Sequence, residues 1–386
     1  MNDLSHAEVP LLKLDFNEDD IRFIQMGIAE ILNSGYLTMN KKVKNFEKLF
    51  SEFIGVKYAI GVNSGTSALE IILRALNVRG KSVIIPTITF MATPLAAIHA
   101  GAKVIFVDVL PRDLSIDPID LKDKLRSDTA AIIAVHIGGI ISSSWETICQ
   151  IGNENEIPII EDAAHAHGAS VNEEMAGSLA EAGAFSFYPT KVLTTAEGGM
   201  ITTNNDEIYN TSLSLREHGK KDPKFNYHTE LGYNWRFSEI HALLGILAMN
   251  KCNSIINERK HLAKLYDKAL EDVSGVSNIA VPDNIVTPYY KYILYLDEKF
   301  ERERIKLKLK EDYNIFLPGE VYAEPCHSQP VFNKYPELIL NDASDEFPGA
   351  HYVSERQICL PLYPKLKEDE VMYVTKSLKE VLSHFA

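Results

Sequence analysis

Lys191 ends the run Phe185-Ser186-Phe187-Tyr188-Pro189-Thr190-Lys191 and is followed by Glu197-Gly198-Gly199. Upstream, an apolar stretch ends in the acidic doublet Glu161-Asp162. Burial at a strand end lowers a lysine pKa, which exposes the neutral amine and lets it form a Schiff base with an aldehyde. A strand-end carboxylate can pair with a protonated pyridine nitrogen and keep the ring an electron sink. Together the two residues point to pyridoxal phosphate. Each also has a plain alternative. Most lysines sit at the surface, although the aromatic, Pro and Gly-rich surroundings of Lys191 argue against that here. Asp162 could simply cap the next turn, and spacing alone weighs its two readings equally.

Further candidates cluster at similar places. Asn63-Ser64-Gly65-Thr66-Ser67 lies between a strand and an apolar helical run. A small-residue turn at a helix start aims N–H groups at an anion and lets a phosphate approach closely, yet alone it reads as an ordinary N-cap. The Ser186 hydroxyl suits the same phosphate. His165 could bond the phenolic oxygen of the cofactor, whereas His167 reads as structural. Phe90 could stack on the ring, although an aromatic after a buried strand is more often core. Asn234 and Arg236, in Gly232-Tyr233-Asn234-Trp235-Arg236, could reach a phosphate or carboxylate, or merely form a loop before a helix capped by Ser238. Glu324 and His327 are candidate substrate contacts, with plain exposure as the alternative for His327. The segments 220–229 and 322–335 are those expected to choose the substrate.

These residues need a scaffold, and hydrophobic periodicity supplies one. A helix is predicted over Glu18–Ser34, capped by Asn17 and ended by Gly35, with Ile21, Ile24, Ile28, Ile31 and Leu32 as its apolar stripe. Apolar β-rich runs follow at Tyr58–Val62, Ser82–Pro86, Lys103–Val107, Ala131–Val135, Ile157–Glu161, Ala184–Tyr188 and Met200–Thr203. Continuous apolar strands alternating with helices predict an α/β fold with a mostly parallel sheet covered on both faces. Such sheets bind ligands beyond the strand carboxyl ends, where the polar motifs fall. After about residue 250 the texture changes to helix 257–270, a strand at 289–296, a helix near 301–312 and a last helix from Glu368. The expectation is a large domain over 1–250 and a smaller α+β domain over 251–386.

The 386 residues are 46% hydrophobic and 24% charged, the balance of a soluble globular protein. A net charge of −14, without a basic run, argues against nucleic acid as a partner. The four cysteines (Cys149, Cys252, Cys326, Cys359) lack metal-type or CxxC spacing and read as reduced thiols of a cytoplasmic protein. No metal site, signal segment or membrane span is expected.

Taken in order, the motifs resemble the DegT/DnrJ/EryC1/StrS family of sugar aminotransferases, in the fold type I class of pyridoxal-phosphate enzymes. They run from Val9-Pro10-Leu11 through Phe46-Glu47, Asn63–Leu69, Phe106-Val107-Asp108, Val135-His136, Glu161–His165, Ser186–Lys191, Glu197-Gly198-Gly199, His218-Gly219 and Gly232–Arg236 to Leu360–Pro364. The resemblance implies Lys191 as the Schiff-base lysine and Asp162 as partner of the pyridine nitrogen. Thr66 and Ser186 would bind the phosphate, with Gly65 giving backbone and Asn234 reaching the phosphate of the neighbouring subunit in a homodimer with shared active sites. It further implies an amino donor, L-glutamate or glutamine, and as keto acceptor a nucleotide-linked keto-deoxysugar used for polysaccharide or a glycosylated metabolite. A cyclitol ketone or a small phosphorylated ketone is the alternative acceptor, and a regulator that keeps the fold without catalysis is a further one. One branch of the family carries histidine in place of this lysine and deoxygenates sugars, so Lys191 favours amino transfer over a sugar dehydratase. Two departures from the pattern are Asn40 and Ala196, each where glycine is common; Asn40 would tolerate a left-handed backbone.

Overall fold

The computed structural model describes residues 8–222, 225–279 and 281–385. Helix α1 (Glu18–Ser34) has the predicted bounds. Asn17 Oδ1 accepts from the Asp20 amide at 2.9 Å, Asp20 Oδ2 accepts from the Asn17 amide at 2.9 Å, and Gly35 closes the helix at φ 72°. Its apolar stripe behaves differently from the expectation. Ile31 is buried, but Ile21 is 45% exposed and Leu32 59%. The helix rests on its neighbour through Gly27, where an added Cβ would lie 2.5 Å from Leu243 Cδ2. Ile24 and Ile28 are half-buried, so only Ile21 and Leu32 of the stripe face outward.

Seven strands build the main sheet: β1 (Tyr58–Val62), β2 (Ser82–Pro86), β3 (Lys103–Val107), β4 (Thr129–Val135), β5 (Ile159–Asp162), β6 (Ala182–Ser186) and β7 (Gly199–Thr203). Their order is β1-β7-β6-β5-β4-β2-β3. β7 runs antiparallel to both β1 and β6, and the remaining pairs are parallel. Every residue of β2, β5 and β7 is buried, as happens only when both faces of a sheet are covered. β6 ends two residues before the predicted Tyr188. Its last paired residue, Ser186, sits opposite Gly199 at the start of β7, and Pro189 beyond has no amide for a ladder.

Around the sheet lie α2 (Lys41–Ile54), α3 (Gly65–Ala75), α4 (Ala92–His99), α5 (Trp145–Glu154), α6 (Asp206–Leu215) and the 32-residue α7 (Glu239–Leu270). The predicted helix capped by Ser238 and the predicted helix 257–270 are thus one, since no Pro or Gly interrupts the polar stretch between them. Residue 250 lies inside α7. The change of texture there marks the passage of one helix from the main core (Ala242, Ile246, Cys252, Ile256) into a second core (Leu262, Ala263, Tyr266, Leu270). The second core is completed by an antiparallel sheet of β8 (Val276–Asn278), β9 (Tyr292–Leu296) and β10 (Gln357–Leu360), with α8 (Arg302–Tyr313) and α9 (Glu368–Phe385). Val9 joins it by bonding Asn314 and Phe316. Among the described residues no helix is long and apolar enough to cross a membrane.

Buried carboxylates tie distant segments together. Glu239 accepts from the amides of Asn40 (2.8 Å), Lys42 (2.8 Å) and Val43 (3.0 Å), capping α2 from the start of α7. This capture holds Asn40 at φ −121°, so the left-handed position falls on Met39 (φ 54°) and not on Asn40. Glu47 accepts from Gly61 N and from Arg216 Nη1, and Asp108 accepts from the amides of Gly349 and Ala350. These bonds account for two of the motif positions, Glu47 and Asp108, as scaffold.

Candidate active site

Asp162 ends β5 between β4 and β6, at the carboxyl edge of the sheet. Successive residues of a strand point to opposite faces, and the acidic doublet divides accordingly. Glu161 is fully buried and accepts from the amides of Gly177 (2.6 Å), Leu179 (2.8 Å) and Ala180 (3.1 Å), with His136 Nε2 at 2.9 Å, so it is a structural clamp. Asp162 faces a cavity of about 460 Å³. Its Oδ2 accepts from Thr93 Oγ1 at 2.8 Å and its Oδ1 from the Ala164 amide at 3.2 Å. Burial pushes its pKa up, opposed by those two donors and by the positive charge of Lys191.

Lys191 lies on the turn after β6, its amide bonded to Tyr188 O at 2.9 Å, and its side chain enters the same cavity. Burial lowers its pKa; Tyr290 and Asp162 act in the opposite sense, and Lys291 adds to the lowering. Lys191 Nζ is 4.9 Å from the centre of the Tyr290 ring. At the start of α3, Ser64 Oγ accepts from the Ser67 amide at 3.1 Å and Ser64 O from the Ala68 amide. Helix geometry leaves the first two amides, those of Gly65 and Thr66, as open donors at the cavity. Gly65 is pressed against β6, where an added Cβ would lie 2.9 Å from Ser186 Cβ and 3.3 Å from Phe185 O.

His165 is buried, and burial takes its pKa well below the usual range, so the ring is neutral. Its Nδ1 accepts from the Gly138 amide at 3.3 Å, which places the ring proton on Nε2, 3.3 Å from the Tyr322 hydroxyl. His167 is buried against Phe50, Phe185 and Phe187, and burial carries its pKa down to about 3. It stays outside the cavity lining.

The cavity thus gathers Gly65, Thr66, Phe90, Asp162, His165, Ser186 and Lys191. Phe90 is 60% exposed, on the cavity wall 5.7 Å from Tyr322, and is not core. Four candidates lie elsewhere. Asn234 is exposed and outside this cavity, its carbonyl accepting from Asn63 Nδ2 at 3.4 Å. Arg236 is half-buried and Glu324 exposed, and neither lines the cavity. His327 is placed behind the wall, with Nδ1 2.6 Å from Thr87 Oγ1 and its ring stacked on Phe347 at 4.1 Å, so it pins its loop to the end of β2. Of the segment 220–229, Pro223 and Lys224 lie outside the described residues. Sequence reasoning missed Tyr290, Thr190 and Glu197 as site residues and reached Tyr322 only as the first residue of the segment 322–335; all four line the cavity. No local pattern links residue 290 or 322 to residue 191, because distant segments of the chain return to the same main core.

The donor set matches a pyridoxal phosphate. A close-packed turn with open amides and a hydroxyl suits the phosphate, a buried carboxylate suits the ring nitrogen, and a lysine with lowered pKa suits the aldehyde. Comparison with known proteins agrees. Over 369 residues, 92% of this chain and 93% of its relative, the sequence is 33% identical to the spore coat polysaccharide biosynthesis protein SpsC of Bacillus subtilis. It is 32% identical over 360 residues to the UDP-4-amino-4,6-dideoxy-N-acetyl-beta-L-altrosamine transaminase of Campylobacter jejuni, covering 92% and 93% of the two chains. Among solved structures, the PLP form of Spr1654 from Streptococcus pneumoniae superposes with a TM-score of 0.88 at 26% identity, covering 98% of this chain and all of that one. The model of the DegT/DnrJ/EryC1/StrS aminotransferase family matches residues 18–379, and this chain belongs to that family.

Proposed function

We propose that this protein is a pyridoxal-phosphate-dependent aminotransferase that passes the amino group of an amino acid, L-glutamate or glutamine, to the keto group of a nucleotide-linked keto-deoxysugar for polysaccharide or glycosylated-metabolite synthesis. The observation that carries this reading is the convergence of the Lys191 amine and the Asp162 carboxylate on one cavity, with the open end of α3 and Ser186 beside them. The names of the two relatives, one tied to polysaccharide synthesis and one to a nucleotide-linked amino sugar, support the acceptor class.

When bound, the cofactor supplies an aldehyde that holds the amino group and a ring that draws electrons from the neighbouring carbon. The residues do the rest. The Gly65 and Thr66 amides and the Ser186 hydroxyl hold the phosphate, and Asp162 keeps a proton on the ring nitrogen. His165 donates from Nε2 toward the ring oxygen. Lys191 gives the covalent anchor through Nζ. Freed as an amine, its Nζ would take the proton from the donor Cα and return it to the carbon on the other side of the transferred nitrogen, as general base and then acid. Burial lowers the pKa of that amine, which raises the share held in the neutral, reactive form.

A homodimer in the cytoplasm, with Asn234 entering the partner's phosphate site, completes the proposal. It is supported by the exposure of Asn234 and of an apolar set that includes Met26, Leu32, Leu231 and Tyr233. The test begins with purified protein, expected to carry a visible cofactor band that Lys191→Ala abolishes together with activity. L-glutamate should bleach the band, and a panel of nucleotide-linked keto-sugars should restore it. A colourless protein that takes up no cofactor overturns the proposal. Restoration by a cyclitol ketone or a small keto-phosphate alone reassigns the acceptor.

A further inference from the structure

Tyr290 meets two of the groups that the site places on the cofactor, Lys191 and His165. The centre of its ring lies 4.9 Å from Lys191 Nζ and 5.8 Å from Lys291 Nζ, and the ring stacks on His165 at 3.9 Å with an interplanar angle of 18°. Its hydroxyl is 3.2 Å from Thr190 Oγ1, on the residue next to Lys191. The backbone is fixed as firmly as the side chain. The Tyr290 amide donates to Gly138 O at 3.1 Å, and its carbonyl accepts from Arg259 Nη2 at 2.7 Å. Arg259 Nε also donates to Tyr289 O at 3.0 Å. Gly138 is the residue whose amide fixes the His165 tautomer, so one backbone segment supports both neighbours of the tyrosine.

We infer that Tyr290 is the positioning residue of the active lysine: its ring holds the Lys191 amine in place and favours the charged form, while its other contact keeps the His165 ring in plane. The inference rests on the reading of the site proposed above. An aromatic face attracts an ammonium most strongly when both are desolvated, as they are here. This attraction works against burial, so the tyrosine sets how far the amine's proton affinity falls. Other groups act on the same amine. Asp162, Tyr188, Glu197, Tyr322 and His165 line its cavity, Lys291 acts through charge, the neutral His167 lies behind the wall, and Lys251, Glu258 and Arg259 line the hollow on the far side of its loop. None of them presents a ring face to the amine as Tyr290 does.

The test measures the amine without turnover. Full-length protein freed of cofactor is labelled with trace acetic anhydride across pH, and acetylation of the Lys191 peptide is read by mass spectrometry. The wild type should show a midpoint below the ordinary lysine value of 10.5. Tyr290→Leu should move that midpoint down by about one further pH unit, the size of a desolvated cation–π contact. Tyr290→Phe keeps the ring, and should leave the midpoint unchanged while loosening the tie to Thr190. A Leu variant with the wild-type midpoint overturns the inference alone. So does a Phe variant shifted by about a unit, an outcome that stands even if the Leu variant does not fold. An ordinary surface-lysine midpoint in all three proteins overturns the inference together with the reading of the site on which it rests.

Discussion

Replacing Gly65 by alanine probes the phosphate end of the site with a single added carbon. The new Cβ would lie 2.9 Å from Ser186 Cβ, where carbon atoms prefer about 3.5–4.0 Å. Ser186 Cβ is the root of a side chain, not a flexible tip, and β6 is held by ladder bonds to β5 and β7 on its two sides. Phe185 O, 3.3 Å away, is backbone of the same strand. The easier motion is therefore for the first turn of α3 to lift off β6, which draws the Gly65 and Thr66 amides away from the Ser186 hydroxyl. Overpacking of this kind costs about 1–3 kcal/mol. If most of it falls on the cradle, cofactor affinity drops by roughly 5- to 150-fold. The assay is titration of cofactor-free protein with pyridoxal phosphate, followed by its absorbance, beside urea unfolding of the same protein without cofactor. Wild-type affinity together with an unchanged unfolding midpoint would refute the argument, since the added carbon would then have met nothing.

Three further outcomes are expected. Ala196 stands at φ 68°, where a non-glycine residue loses about 1–2 kcal/mol. Ala196→Gly should gain roughly 0.5–1 kcal/mol net after the looser unfolded chain is counted, and a lower urea midpoint would contradict the strain. Glu239→Gln retains the shape but offers one neutral acceptor oxygen to three amides, so unfolding free energy should fall by about 2–4 kcal/mol; a loss near zero would remove Glu239 as the cap of α2. The pKa of His167 is lowered to about 3 from an ordinary 6.5. Between these values the unfolded chain binds the proton and the native chain does not, so stability is full above 6.5 and is lost as pH falls, at up to about 1.4 kcal/mol per pH unit from this residue. His167→Phe, placed among Phe50, Phe185 and Phe187, should flatten the stability profile over that range, and an unchanged slope would count against the assignment.

Much of the main sheet was legible in the chain. Apolar runs such as Ser82–Pro86 and Lys103–Val107 match β2 and β3 at both ends, because strands buried on two faces must be apolar throughout. The α1 caps were legible for a similar reason, since Asn17 and Gly35 act on neighbours in sequence. The outward face of its stripe was not, as periodicity reports which residues share a face and not what covers it. Likewise the doublet Glu161-Asp162 could be read as acidic, but its division into a clamp and a cavity carboxylate depends on which amides and which hydroxyl each side chain meets.

By itself the sequence determined the family, the alternation of strand and helix, and the local groups at strand ends and helix starts: Gly65, Thr66, Asp162, His165, Ser186 and Lys191. These follow from short-range rules of periodicity, capping and motif order. Only the tertiary structure decided that His327 pins a loop behind the wall and that Tyr290 and Tyr322 line the site beside Lys191 and His165. Residues separated by about a hundred positions or more meet only when distant segments return to a shared core, and the free energy that brings them together is spread over buried surface that no local pattern records.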